Sequence, residues 1–298
     1  MKKDGYFYAQ LGFTLLICAF LIVPVVMSIT AGLTNNYFVG LKSGLTFKWV
    51  EQVWQLYSDT VRLTLQIALT TTLVNLVAGV PCAYYLARQR SQWSALFEEC
   101  LTLPIAIPGM AIALGLISVY GGLHGFRTSW WFILAGHVIF TLPFMVKSVL
   151  AVLNSINFRV LEEGAASLGA SFWQRFFDVI VPNCRTGIIS GVLMTLTLSV
   201  GEFNLTWMLH TPLTKTLPVG LADSYASMRL EVSSAYTLIF LCLILPLLVA
   251  AQVFNHRQFS RKLSFRKELL PEAALSQKPQ HDRERFNDKL PVSFMERS

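Results

Sequence analysis

The sequence predicts an all-α, polytopic integral membrane protein with six transmembrane helices, and three observations lead there. The 298 residues are 54% hydrophobic and only 14% charged, too apolar for an ordinary soluble domain. The apolar residues gather in six runs of about twenty residues or more, the length that crosses about 30 Å of hydrocarbon. Inside lipid each backbone N–H and C=O must bond within its own segment, so the runs are helices.

The first run, residues 9–31, follows Lys2 and Lys3 and contains Pro24. Its apolar character from Leu11 to Leu33 outruns the core of about 7 to 15 residues of a secretory signal, so it reads as an uncleaved helix. An external connection from Gly32 to Thr60 carries Trp49, Trp54 and Tyr57, suited to the membrane interface; it lies along the bilayer surface rather than forming a domain. Residues 1–60 are therefore a terminal helix and an external loop. The second run, 63–87, holds Gln66 and Asn75 and ends near Pro81, Arg88 and Arg90; such polar groups bond across helices more often than they touch a solute. The third, 100–120, contains Pro104, Pro108, Gly109 and Gly115, which make an irregular helix that lines another helix or a pathway. The fourth, 131–153, has His137 and Pro143; a histidine there senses protons or, with no evident partner, packs and hydrogen-bonds. The fifth and sixth are 187–209 and 236–255.

Between the fourth and fifth runs lies LEEGAASLGASFWQRFFDVIVP, Leu161 to Pro182, polar enough to sit in water. Leu161, Ala165 and Leu168 recur at i, i+4 and i+7, an apolar stripe on a helix. Gly169 follows, where a helix end uses the left-handed conformation. Ser171 and Gln174 form S-x-x-Q, a capping box that starts a second helix, and Pro182 is expected to end it. Leu161, Leu168, Phe172, Trp173 and Phe176 are more apolar than a water-bathed loop requires, so some are buried against a partner or under the membrane helices.

Glu163, Gly164, Ala165, Gly169, Val179, Val181 and Pro182 resemble the E-A-A, three residues, G, nine residues, I-x-L-P loop of ABC importer permeases. Gly164 stands for alanine, Val179 for isoleucine and Val181 for leucine. The L-P-x-x-x-P-G run of the third span, the H-x-x-F-x-L-P-F run from His137 to Phe144, and Arg185 to Gly191 are similar to permeases of the spermidine/putrescine, ferric-iron and 2-aminoethylphosphonate group. The resemblance covers residues 60–255; the first helix and the tail match nothing in it.

The resemblance implies a type I ABC importer permease fold, with residues 61–255 as permease core, a coupling loop at 156–185, and 256–298 as a basic cytoplasmic tail. It implies that Leu161, Glu163, Gly164, Ala165, Leu168, Gly169 and Pro182 couple the chain to a cytoplasmic ATPase. Two ATP-binding subunits are then partners, ATP and Mg²⁺ are held by them, and this chain binds no cofactor. A second permease subunit completes the pathway; the group resembled generally uses two different permeases, which favours a homologue over a copy. A solute-binding protein outside delivers a polyamine, a 2-aminoethylphosphonate or ferric iron. The site implied is the bacterial inner membrane.

The chain lacks G-x-x-x-x-G-K-[ST], H-E-x-x-H and G-x-S-x-G, so it is not expected to be an enzyme, and nucleotide hydrolysis belongs to another polypeptide. Five scattered cysteines, none in C-x-x-C, give no disulfide or metal framework. The net charge of +7 owes much to a tail in which ten basic residues face six acidic ones; contact with anionic lipid headgroups explains it better than nucleic acid, for which there is no basic-aromatic platform. With both termini inside, eighteen of the 24 Lys and Arg are cytoplasmic, as the positive-inside rule favours. In the fifth span Glu202, with Asn204 nearby, falls in the outer half of the bilayer, where a carboxylate faces a partner or a water-filled cavity. It contacts an amine-bearing solute in the pathway, or serves as a gate or a structural bond to the partner permease. The rival reading is an ion-gradient-driven secondary transporter, whose characteristic inverted repeats are not detected in these spans.

Overall fold

The structure, a computed structural model, describes residues 5–89 and 91–276, with the side chains of residues 6–89 and 91–254. The expectations on Lys2, Lys3, Arg90 and the tail from residue 277 lie outside the described residues. The chain divides into two compact units, Met1–Ala251 and Gln252–Ser298. Among the described residues there are helices and one isolated bridge, Thr34 to Leu45, but no strand.

α1, Gly5–Gly32, contains Pro24 without interruption. A 3₁₀ turn at Gly40–Ser43 leads to α2, Lys48–Arg88. The last part of the expected external loop is therefore already helical. Tyr57, at φ −134° and ψ 15°, separates those first turns from the span itself. α3, Gln92–Ala106, and α4, Gly109–Tyr120, form one bent pair with an angle of 105°. The irregularity expected of the third run is thus a full break, and its position follows from chemistry: Pro108 lacks an N–H, and the residue before a proline is pushed out of the α region. Ile107 accordingly has φ −89° and ψ 130°.

A short turn, α5 at His124–Arg127, precedes α6, Trp130–Leu153. α7 is Phe158–Ser167. Next come α8, Phe172–Gln174, a π-helical stretch at Arg175–Ile180, and α9, Val181–Asn183. α10 is Arg185–Gly201, α11 is Asn204–Leu209, α12 is Leu217–Ala226, and α13 runs over Leu230–Ser276.

Among the described residues four helices are long and apolar enough to cross a membrane, and six spans result if each bent pair counts as one; the second pair, Phe172–Asn183 with Arg185–Gly201, bends by 72°. The fifth run, read as one helix over 187–209, is corrected: α10 ends at Gly201, Glu202 turns to ψ 117°, and α11 resumes separately. The sixth helix continues past residue 255 to Ser276, so the start of the expected tail is helical.

α2, α6 and α10 make the most extensive helix contacts in the first unit. Gly187 and Gly191, a G-x-x-x-G pair on α10, let it approach α6 closely. A Cβ at Gly187 would lie 2.6 Å from the Ser148 carbonyl oxygen, and one at Gly191 2.6 Å from the Met145 sulfur. The apolar cluster built there, including Val80, Ala83, Met145, Val149 and Leu153, takes in Phe158, Phe176 and Ile180 from the segment between α6 and α10. That segment is packed into the membrane unit's core.

Candidate functional site

α7 ends in a Schellman motif. The Ala170 N–H donates to the Ala165 carbonyl at 3.1 Å and the Gly169 N–H to the Ala166 carbonyl at 3.0 Å, with Gly169 at φ +83°. No heavy atom lies within 4 Å of a Cβ at Gly169, so the backbone conformation, not crowding, asks for glycine. Across the turn both capping-box bonds form: the Gln174 N–H reaches the Ser171 hydroxyl at 3.4 Å, and the Ser171 N–H reaches Gln174 Oε1 at 2.8 Å.

The second helix, the continuous run Phe172–Asn183, stops one residue after Pro182, in line with the end expected there. The bend falls at Cys184, with φ −100° and ψ 10°.

The two faces of α7 differ. On the inner face Phe158 and Glu162, four residues apart, are buried. Glu162 Oε1 accepts from the Tyr84 hydroxyl at 2.7 Å and from Arg175 Nη1 at 3.2 Å, and Arg88 Nη1 stands 3.6 Å away. Arg159 Nη2 donates to the Arg88 carbonyl at 2.9 Å, a cation at the C-terminus of α2 where the helix dipole favours it. The Tyr84 ring lies 5.5 Å from Phe176 and 6.3 Å from both Phe158 and Phe172. A buried carboxylate is tolerated only when paired and hydrogen-bonded, and these donors supply both conditions.

On the outer side Glu163, Gly164, Leu161 and Leu168 are exposed and Ala165 is half-buried. Leu168 is 88% exposed and Trp173 65%, so the apolar stripe at Leu161, Ala165 and Leu168 points away from the chain's own core. Phe176 packs inward and is buried. Sequence reasoning singled out Glu163 and passed over Glu162; the signal available was its i+4 spacing from Phe158, an aromatic that shares its face.

The second candidate region lies where the two broken helices meet. Glu202, the residue before the N-cap Phe203, accepts the Leu205 N–H on Oε1 at 2.8 Å and so satisfies one of the first-turn donors of α11. The same oxygen would lie 3.2 Å from a Cβ at Gly109, the first residue of α4. The Glu202 side chain is half-buried and Asn204 is exposed. His137 is buried, with Nδ1 2.8 Å from Ser199 Oγ and Nε2 2.8 Å from Thr206 Oγ1, so its ring ties α6 to α10 and α11. Asn75 Nδ2 donates to Thr141 Oγ1 at 2.7 Å, bonding across helices. Among the described residues no cluster of three or more His, Cys, Asp or Glu could hold a metal ion.

Residues 76–260 match the family described as binding-protein-dependent transport system inner membrane component. The sulfate transport system permease protein of Synechocystis sp. is 30% identical over 216 residues, covering 67% of this chain and 78% of that one. A Salmonella typhimurium permease protein named for a 2-aminoethylphosphonate transport system is 26% identical over 238 residues, covering 79% of this chain and 89% of its own. Among solved structures, a chain of the bacterial alginate ABC transporter, crystallised with an alginate pentasaccharide-bound periplasmic protein, superposes with a TM-score of 0.61 at 19% identity, over 88% of this chain and 96% of that one. That likeness is one of fold.

Proposed function

Because this chain belongs to the family of binding-protein-dependent transport system inner membrane components, the permeases of ABC importers, we propose that its α7 turn is the docking element for a cytoplasmic ATPase. The observation that carries the reading is the outward face of α7, where Leu161, Glu163, Gly164 and Leu168 stand exposed on a segment packed into the membrane core. An exposed Leu168 and an exposed Glu163 carboxylate fit a partner surface that offers both an apolar pocket and basic groups. Two ATP-binding subunits, holding ATP and Mg²⁺, drive the cycle; this chain contributes no chemistry. A second permease, a homologue rather than a copy, closes the pathway, and a solute-binding protein delivers the solute from outside. The α7 turn is cytoplasmic, which sets both termini inside.

Of the solute classes allowed by the sequence resemblance, 2-aminoethylphosphonate recurs among the named relatives, beside sulfate. Both carry a tetrahedral oxyanion, and we propose a small oxyanion-bearing solute of that kind in preference to a polyamine or ferric iron. A carboxylate would repel sulfate but attract the ammonium group of 2-aminoethylphosphonate, so the solute's charge does not decide the role of Glu202; its bond from the Leu205 N–H is what favours a structural one. Cysteines placed singly at Ala165 and Ala166 should crosslink to the ATPase in membranes carrying the whole transporter. Crosslinks formed only to extracytoplasmic proteins would overturn the docking role and the orientation together.

A further inference from the structure

We propose that Glu162 is a positioning residue that latches the coupling segment to α2, so that displacement of α7 by the ATPase is delivered to that span; this rests on the docking reading above. α7 and the following helix touch the membrane unit through two kinds of contact. The apolar one, through Phe158, Phe176 and Ile180, is shared with α6 as well as α2. The polar one is directed at a single element: the polar partners that the membrane helices offer the Glu162 carboxylate among the described residues, Tyr84 and Arg88, lie on α2. Arg159, one turn before Glu162, clasps the Arg88 carbonyl of the same helix at 2.9 Å. Arg175 reaches Glu162 from the second arm of the segment at 3.2 Å, so the carboxylate joins three pieces of chain at one oxygen.

Apolar contacts slide and repack with little directional cost, whereas a buried charge whose donors are withdrawn is left unpaired. The latch therefore resists separation of α7 from α2 more than sliding of α7 against α6. A stroke entering at α7 moves the cytoplasmic end of α2, the span that carries Asn75 and its bond to α6. Glu163, the next residue along α7, turns out of the packed face and is exposed, where it can meet the partner. Adjacent carboxylates thus divide the work, one facing outward to the ATPase and one inward to the span.

The test uses the assembled transporter in nanodiscs, with the five native cysteines replaced and spin labels at Leu73 on α2 and Leu245 on α13. Distances are compared between the nucleotide-free and the ATP-vanadate-trapped states, so no solute has to be identified. In the otherwise unaltered chain the α2 label should move on trapping. Glu162→Gln keeps the side chain's shape and an acceptor for Tyr84 but removes the charge that holds Arg88 and Arg175. It should lower the fraction of trapped transporters with displaced α2 by about fivefold or more, while ATP hydrolysis and the Ala165 cysteine crosslink to the ATPase persist. Tyr84→Phe, which deletes a single bond, should act in the same direction by less, and Glu162→Asp should restore part of the loss. An undiminished displacement in Glu162→Gln would overturn the latch, and so would loss of the crosslink in that variant, which would make Glu162 a folding residue of the loop. If the unaltered chain shows neither crosslink nor displacement, the docking reading fails first and the latch with it.

Discussion

The Glu202 carboxylate stands where α4 and α11 both begin, and it accepts the Leu205 N–H at 2.8 Å. Helix N-termini present unsatisfied donors and a partial positive charge, so a carboxylate there is stabilised without a solute. Glu202→Gln retains an acceptor oxygen, and uptake should stay within about twofold of the parent if the cap is what matters. Glu202→Ala removes the acceptor and should cost about 1 kcal/mol of stability, read as a lowered thermal midpoint of the purified transporter. A large fall in uptake for the glutamine variant, with assembly intact, would instead place the charge in the pathway. His137 shows the same economy of explanation: both ring nitrogens have hydroxyl partners at 2.8 Å, which gives a buried imidazole a packing role.

At the scale of elements, the turn between α7 and α8 depends on Gly169 at φ +83°. An L-residue in that region carries a strain of about 1 to 2 kcal/mol, and the Schellman bonds on either side leave little freedom to relieve it. Gly169→Asp should therefore abolish uptake and loosen the ATPase, seen as loss of co-purification, while the permease remains in the membrane fraction. Normal uptake by that variant would remove the turn from the coupling path. The π-helical stretch at Arg175–Ile180 is a second local device. It directs Arg175 to Glu162 and Phe176 and Ile180 into the core shared with α2 and α6, and π turns of this kind are characteristic of functional segments.

For the whole molecule, the membrane class, the number of apolar runs and the two-helix loop were legible because they rest on run length, turn residues and caps, which act within a few neighbouring residues. Breaks and burial were less so. Pro24, Pro81, Pro104 and Pro143 all lie inside helices, whereas Pro108 stands at a break of 105°; neighbouring helices re-satisfy the backbone in some places and not in others, and sequence does not say where. The G-x-x-x-G at Gly187 and Gly191 was passed over in the sequence, and its mate, α6 near Met145, emerges only from packing. Glu162 and Glu163 differ in fate because one shares a face with Phe158, a distinction set by which side of α7 meets the core.

On the function we propose, this chain moves solute only when a partner ATPase works through the α7 turn. The most direct measurement is uptake into proteoliposomes holding the two permeases and the ATPase, with the binding protein and radiolabelled sulfate or 2-aminoethylphosphonate outside and ATP inside. Uptake should persist when ion gradients are collapsed with ionophores and should vanish when the phosphate-binding lysine of the ATPase is replaced. Uptake that survives the disabled ATPase and disappears with the ion gradient would contradict the account.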